Sequence, residues 1–131
     1  MGTPKKLVLI VDDEEDVARY LSAALSDEGF DTLTLGEAKG VLDLAVERRP
    51  DLICLDLVLP GQTGLSLYQQ IRETPELAGT PIVVVTGLVP ADAIGKVGLG
   101  ETLPPPDAFV EKPVDIPKFV ETVRNLVREG G

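Results

Sequence analysis

The feature that most constrains the fold is a regular alternation of short apolar runs with longer segments of helical periodicity. Four of the five apolar runs are continuous or nearly so, as expected of strands that are covered on both faces. The remaining run, in "DTLTLG", alternates apolar and polar residues, which is typical of an edge strand. In chain order the runs are Leu7–Val11, Thr32–Leu35, Leu52–Leu55, Ile82–Val85 and Ala108–Val110.

The segments between these runs carry apolar stripes that predict helices. The stripes are Val17, Leu21, Ala24 and Leu25, ended by Gly29; Val41, Leu42, Leu44 and Ala45, ended by Pro50; Leu65, Tyr68 and Ile71, ended before Pro75; and Ile116 to Val127. Asp115 is placed to cap the last helix, and Pro117 falls in its first turn. Strand–helix alternation of this kind predicts an α/β fold with a parallel sheet and helices on both faces.

The length of the chain limits the number of domains, and its net charge limits the classes of partner. The 131 residues, 44% of them apolar, suit one domain, which we place at residues 5–127 with tails at 1–4 and 128–131. The net charge of −10 argues against nucleic acid and anionic membranes as partners. Because the chain has no His, an imidazole can serve neither as a metal ligand nor as a phosphoryl donor.

Cysteine usage and hydropathy point to the cytoplasm. Cys54 is the only Cys and lies in the apolar run "LICLD", so we predict a reduced core residue. No run approaches the roughly 20 apolar residues of a membrane helix, so we expect no membrane association.

Polar residues follow the apolar runs at the positions where a parallel sheet collects its functional groups. They are Asp12 and Asp13, Asp56, Thr86 with Gly87, and Lys112. Singly, each has an ordinary structural explanation: a helix cap, a loop acid, a strand former or a surface lysine. Three clustered carboxylates would, however, raise at least one pKa unless a cation compensated them. Mg²⁺, which prefers oxygen ligands, together with Lys112 would supply that compensation.

These strand ends resemble those of a known family. The segments "LVLIVDDEED", "LICLDLVLPGQTG", "VVVTG" and "FVEKP" occur in the order found in the receiver domains of two-component response regulators. The resemblance extends from Lys5 to Val127. It implies a doubly wound, flavodoxin-like sheet of five parallel strands in the order 2-1-3-4-5, flanked by five helices.

The resemblance also implies a magnesium site and a phosphoacceptor. Asp56 is expected to accept the phosphoryl group as an acyl phosphate. Asp13 resembles a direct Mg²⁺ ligand, Asp12 one that acts largely through water, and the backbone carbonyl of Val58 would complete the protein's share of the coordination.

Further residues resemble those that bind and respond to the phosphoryl group. Lys112 would pair with one phosphoryl oxygen and Thr86 would hydrogen-bond another, while the small Gly87 leaves room for the group. Phe109 occupies the position of an aromatic residue whose movement is coupled to that of Thr86. We interpret the acidic residues after Asp13, namely Glu14, Glu15 and Asp16, as helix caps and solvated charge.

The predicted function is that of a phosphorylation-switched signalling module that is not an enzyme beyond its own phosphorylation and dephosphorylation. Its partners would be a sensor histidine kinase or phosphotransfer protein and an unknown downstream protein. It is either a stand-alone regulator or a receiver from a longer protein.

Three other functions share part of this pattern. An NTPase needs a G-x-x-x-x-G-K-[ST] loop, which is missing. An aspartate-nucleophile phosphatase usually has an acid where Val58 stands. A receiver-like interaction module that acts without phosphorylation stays open, although every key residue is present.

One segment departs from the family pattern. Between the fourth and fifth strands the chain reads "LVPADAIGKVGLGETLPPPDAF", with Gly95, Gly98 and Gly100 followed by three prolines. Each Gly costs about 1 kcal/mol in a helix relative to Ala, and proline excludes helix. We therefore predict that the helix expected there is short or mobile, with only Ala91 to Val97 able to form it. We expect a monomer, or a dimer through another face, and we expect this segment to become ordered on partner binding or phosphorylation.

Overall fold

The computed structural model describes residues 5–59, 64–87 and 106–130, with side chains through Arg128. This part of the chain contains five strands and four α-helices. The strands are β1 (Leu7–Val11), β2 (Asp31–Leu35), β3 (Leu52–Leu55), β4 (Ile82–Thr86) and β5 (Ala108–Glu111). The helices are α1 (Glu15–Asp27), α2 (Val41–Arg48), α3 (Gly64–Glu73) and α4 (Ile116–Gly130), with a 3₁₀ turn at Pro75–Leu77. All five predicted strands are confirmed to within one residue at each end.

The strands form one parallel sheet in the order β2-β1-β3-β4-β5, as predicted. In the central pairs, Leu9 of β1 lies opposite Leu33 of β2 and Ile53 of β3. The alternating strand β2 lies at an edge, as its pattern indicated. The continuous run in β5 also lies at an edge, where Ala108–Val110 are only half-buried because the strand pairs on one side, with β4.

Alternate residues of the central strands face two separate apolar layers. On one side Leu9, Ile53 and Val84 pack with α2 and α3, chiefly through Val41, Leu67, Tyr68 and Ile71. On the other side Val8, Cys54 and Val83 pack with α1 and α4, chiefly through Leu21, Leu25, Phe119 and Val123. Because both faces are covered, β1, β3 and β4 are apolar throughout, and the predicted doubly wound architecture is confirmed.

The C-terminal end of α1 and the N-terminal end of α4 follow the expected chemistry. Gly29 adopts a φ of +90° directly after α1 and donates its N–H to Ser26 O at 3.0 Å, which closes the helix. The Asp115 carboxylate accepts the N–H of Lys118 at 3.2 Å, so the predicted cap of α4 is confirmed. Pro117 lies in the first turn of α4, which extends beyond the predicted domain limit at Val127.

Residues 88–105 of the atypical segment lie outside the described residues. The predictions made for Gly95 to Gly100, for the prolines at 104 and 105 and for the short helix all fall there. The fifth helix that the family resemblance implies would also lie in this segment.

Candidate functional site

The carboxyl ends of β1, β3, β4 and β5 meet at one edge of the sheet and bring the predicted residues together. Backbone hydrogen bonds continue beyond the strands and fix their positions: the Asp56 N–H donates to Val11 O at 2.9 Å, and the Lys112 N–H donates to Thr86 O at 3.1 Å. Likewise, the Asp12 N–H donates to Leu35 O at 3.0 Å. The site is therefore a direct consequence of the parallel topology.

Lys112 is the cationic centre of the site. Its Nζ lies 3.0 Å from Asp12 Oδ2, 3.0 Å from Asp56 Oδ2 and 2.8 Å from Glu14 Oε1. Its side chain is 13% exposed, and those of Asp12 and Asp56 are almost completely buried. One ammonium group is thus surrounded by three carboxylates from two different strand ends.

The two carboxylate oxygens of Asp12 have different surroundings. Oδ1 accepts the N–H of Glu14, two residues further along, at 2.9 Å; this is a local turn before α1, and Asp12 caps no N–H within the helix itself. Oδ2 is buried and is paired with Lys112 by charge, but it accepts no hydrogen bond with good geometry from the part of the chain that the structure describes. One oxygen of Asp12 therefore remains available to a further cation.

Asp56 is held on both of its oxygens. Oδ1 accepts the N–H of Val58 at 3.0 Å, and Oδ2 accepts a hydrogen bond from Lys112 at 3.0 Å. Although Asp56 is only 3% exposed, it lines an open cleft of about 870 Å³. The cleft is also lined by Asp13, Glu14, Val58, Gly87 and Lys112, and on its apolar side by Val17, Tyr20, Pro113 and Val114.

The remaining predicted residues surround this cleft at different depths. Thr86 is the last residue of β4 and is buried, whereas Gly87 lines the cleft. A methyl group on Gly87 would lie 3.4 Å from Cβ of Lys112, so the glycine leaves space beside the ammonium-bearing side chain. Phe109 is half-buried in β5 and packs against the apolar layer of α2 and α3.

The acidic residues of the site fit a hard divalent cation. Ligand atoms of Asp12, Asp13 and Asp56 all lie within 4.8 Å of one another, and Asp13 is exposed to the cleft. The buried Oδ2 of Asp12 supports the same conclusion, because a buried carboxylate oxygen normally has a hydrogen bond or a metal. The predicted group Asp12, Asp13 and Asp56 can thus hold Mg²⁺.

Burial and neighbouring charges together shift the pKa values of Asp12 and Lys112. Burial raises the pKa of Asp12, and repulsion from Asp56 adds to this, while the Glu14 N–H and Lys112 oppose it. Partial burial lowers the pKa of Lys112, but its contacts with Glu14, Asp12 and Asp56 outweigh burial and hold the pKa above its ordinary value. Lys112 is therefore an ammonium ion. Cys54, predicted to be a core residue, is buried, and burial raises the pKa of its thiol.

Two features of the site were missed by the sequence analysis. Glu14 was interpreted as a cap or solvated charge, yet its carboxylate contacts Lys112, and it forms no side-chain cap on α1. Gly64 allows α3 to begin directly against the end of β3, because any Cβ there would overlap the backbone of Asp56 and Leu57. Gly64, the second glycine in "GQTG", was the available signal for this close approach.

The fold and the site define a receiver domain, and comparison with known proteins agrees. Residues 8–124 match the family described as the response regulator receiver domain, and the chain belongs to that family. Receiver domains are signalling domains of two-component systems, and they interact with histidine kinases and with downstream effectors.

Individual relatives differ in how much of their length the chain covers. The chain is 30% identical to the polar-differentiation response regulator DivK of Brucella anthropi, over 93% of the chain and 96% of DivK. It is 36% identical to the DNA-binding response regulator MtrA of Mycolicibacterium smegmatis, over 98% of the chain but only 53% of MtrA. Among solved structures, the chemotaxis response regulator CheY4 of Vibrio cholerae superimposes with a TM-score of 0.80 at 25% identity, covering 94% of this chain and 99% of CheY4.

The helices of residues 5–59, 64–87 and 106–130 are too short or too polar to cross a membrane.

Proposed function

We propose that this protein accepts a phosphoryl group on Asp56 from a histidine kinase or phosphotransfer protein, in the presence of Mg²⁺, and that phosphorylation switches its conformation to regulate a downstream protein. The observation that carries the proposal is the setting of Asp56. A nearly buried carboxylate opens onto a cleft and lies between an ammonium group and a cluster of acids that can hold a metal. We place the domain that performs this function at residues 5–127.

In the proposed reaction an oxygen of Asp56 attacks the phosphorus of the donor. The new oxygen–phosphorus bond forms as the bond from phosphorus to the donor's imidazole nitrogen breaks, and the electron pair leaves with the imidazole. Asp56 Oδ1 is already oriented by the N–H of Val58, which fixes the rotation of the carboxylate relative to the cleft. The product is an acyl phosphate.

The residues around Asp56 stabilise the transferred group. The ammonium of Lys112, 3.0 Å from Asp56 Oδ2, is positioned to bind one phosphoryl oxygen. Thr86, at the end of the neighbouring strand, would offer its hydroxyl to another, and Gly87 keeps the approach open. When bound by Asp12, Asp13, Asp56 and the carbonyl of Val58, Mg²⁺ would neutralise the charge that accumulates where the phosphoryl group meets Asp56.

The experiment is phosphorylation by acetyl phosphate with Mg²⁺, followed by intact-mass measurement. We expect the mass of one added phosphoryl group on the wild-type protein and none on Asp56→Ala. Asp43→Asn, which alters an exposed acid on α2 away from the cleft, is the matched control and should be phosphorylated normally.

Two outcomes would contradict the proposal. A wild-type protein that acquires no phosphoryl group would favour the receiver-like interaction module that acts without phosphorylation. An adduct that persists in Asp56→Ala would assign the phosphoacceptor to another residue. Transfer from purified histidine kinases, compared among several candidates, then identifies the partner.

A further inference from the structure

The contact between Glu14 and Lys112 has no role in the proposed transfer of the phosphoryl group to Asp56. Glu14 lies at the start of α1, and its carboxylate makes the shortest of the three contacts of the Lys112 ammonium, at 2.8 Å. The adjacent acids Glu15 and Asp16 belong to the same turn, yet among the described residues neither forms an ion pair.

The ammonium of Lys112 is already engaged by three carboxylates. It donates hydrogen bonds to Glu14 Oε1 at 2.8 Å and to Asp56 Oδ2 at 3.0 Å, and it lies 3.0 Å from Asp12 Oδ2 as a charge contact. A phosphoryl oxygen on Asp56 has to compete with these carboxylates for the ammonium. This inference rests on the proposed function.

Exposure identifies the contact that is released most easily. The Asp12 side chain is 2% exposed, so water cannot replace Lys112 there without opening the core. Asp56 is also almost completely buried and, as the proposed phosphoryl acceptor, it keeps its position beside Lys112. The Glu14 side chain is 58% exposed, so its carboxylate regains hydration when it leaves Lys112, and the contact is a weak one.

We propose that Glu14 is a positioning residue that holds Lys112 away from the phosphoryl group, and so favours the unphosphorylated state. Glu14 and the phosphoryl group compete for the same ammonium. Loss of the Glu14 charge therefore frees Lys112 and strengthens the binding of a phosphoryl group or its mimic.

The test measures the affinity for beryllofluoride, a phosphoryl mimic, in the presence of Mg²⁺. Glu14→Gln keeps the size of the side chain and removes its charge, and we expect binding about two- to fivefold tighter than wild type, the range of one exposed ion pair. Glu15→Gln is the matched control, because it removes the same charge from the neighbouring residue without a Lys112 contact, and its affinity should equal that of wild type.

A double-mutant cycle with Lys112→Met tests whether Glu14 acts through Lys112. In the Lys112→Met background, Glu14→Gln should no longer tighten binding. The rate of phosphorylation by acetyl phosphate should rise with Glu14→Gln in step with the affinity, and thermal unfolding of each variant confirms that the fold is intact.

The outcomes separate this inference from the proposed function. Three results would contradict competition between Glu14 and the phosphoryl group: beryllofluoride affinity in Glu14→Gln that is equal to or weaker than wild type, an equal increase in affinity in Glu15→Gln, or an increase that persists in the Lys112→Met background. None of them would contradict phosphorylation of Asp56. A wild-type protein that binds no beryllofluoride and acquires no phosphoryl group would overturn both.

Discussion

The strands begin at one end of the sheet, the amino edge, and finish at the other, the carboxyl edge; each holds a largely buried cation in an ion pair, and the two differ in charge balance. At the amino edge, the Arg72 side chain is 6% exposed and pairs with Asp107, directly before β5, at 2.9 Å. It also donates to the Tyr68 hydroxyl at 3.1 Å and to the carbonyls of Ala78 at 3.3 Å and Thr80 at 2.8 Å. At the carboxyl edge, Lys112 faces Asp12, Glu14 and Asp56, with Asp13 nearby.

The difference between the edges indicates which one is a site. Arg72 and Asp107 bring together one positive and one negative charge, and Asp107 Oδ2 also accepts the N–H of Ile82 at 2.8 Å, so these groups stabilise one another. The carboxyl edge has one positive charge among four acids and a buried oxygen without a hydrogen bond among the described residues. The balanced edge connects α3 to β4 and β5, whereas the acidic cluster of the unbalanced edge can hold a cation from outside the chain.

The largest effect that this comparison predicts is on stability at the amino edge. Arg72→Met should lower the free energy of unfolding by about 2–3 kcal/mol, because Asp107 loses its charge partner and two backbone carbonyls lose their donor. Arg124→Met, which removes an arginine from an exposed ion pair with Glu28, should change it by less than about 0.5 kcal/mol. Urea denaturation measures both, and similar losses in the two variants would break the comparison.

At the carboxyl edge, removal of a charge should stabilise the protein in the absence of divalent ions. Burial raises the pKa of Asp12 above its ordinary value of 3.8, so its ionisation costs more in the folded protein than in the unfolded chain. Asp12→Asn keeps the acceptor for the Glu14 N–H and should raise the free energy of unfolding by about 1 kcal/mol at pH 7.

The pH dependence of this effect has a definite sign. The contribution of Asp12 to stability is intact below the pKa of the unfolded chain and is lost as the pH rises through the raised pKa of the fold. The advantage of Asp12→Asn should therefore shrink as the pH falls from 7 toward 4. Saturating Mg²⁺ should abolish or reverse it, because an amide is a poorer ligand than a carboxylate. Equal stabilities at pH 7 without divalent ions would contradict the prediction.

A smaller effect is expected on the lifetime of the phosphoryl group. Val58 lines the cleft beside Asp56, and an apolar residue there cannot orient a water molecule for attack on the phosphorus. Val58→Asn should speed loss of the phosphoryl group about three- to fivefold, equivalent to one hydrogen bond. Arg72→Lys, at the balanced edge, should leave the decay unchanged. A decay rate that is the same in Val58→Asn and wild type would remove the argument.

The smallest expected effect is a change of environment at Phe109. Its half-buried ring lies in β5, beside the strand that ends in Thr86, and we expect it to change exposure as Thr86 moves toward a phosphoryl group. NMR spectra with and without beryllofluoride measure the ring shifts. Identical shifts in the two spectra would leave Phe109 with a packing role alone.

The sequence was sufficient for most of the fold because each part of the pattern has a local cause. The apolar runs of β1, β3 and β4 follow from burial on both faces, and the alternation in β2 follows from its position at an edge. Asp12, Asp56 and Lys112 come together because parallel strands place their carboxyl ends at one edge, so identification of the strands also located the site.

The tertiary structure alone decided the partners of long charged side chains. Glu14 and Lys112 are 98 residues apart, and Arg72 and Asp107 are 35 apart. Nothing in the local pattern around Glu14 distinguishes it from Glu15. Periodicity records whether a side chain faces the core or the solvent, but an ion pair depends on the distance between two charges, which is set only when the helices and strands pack.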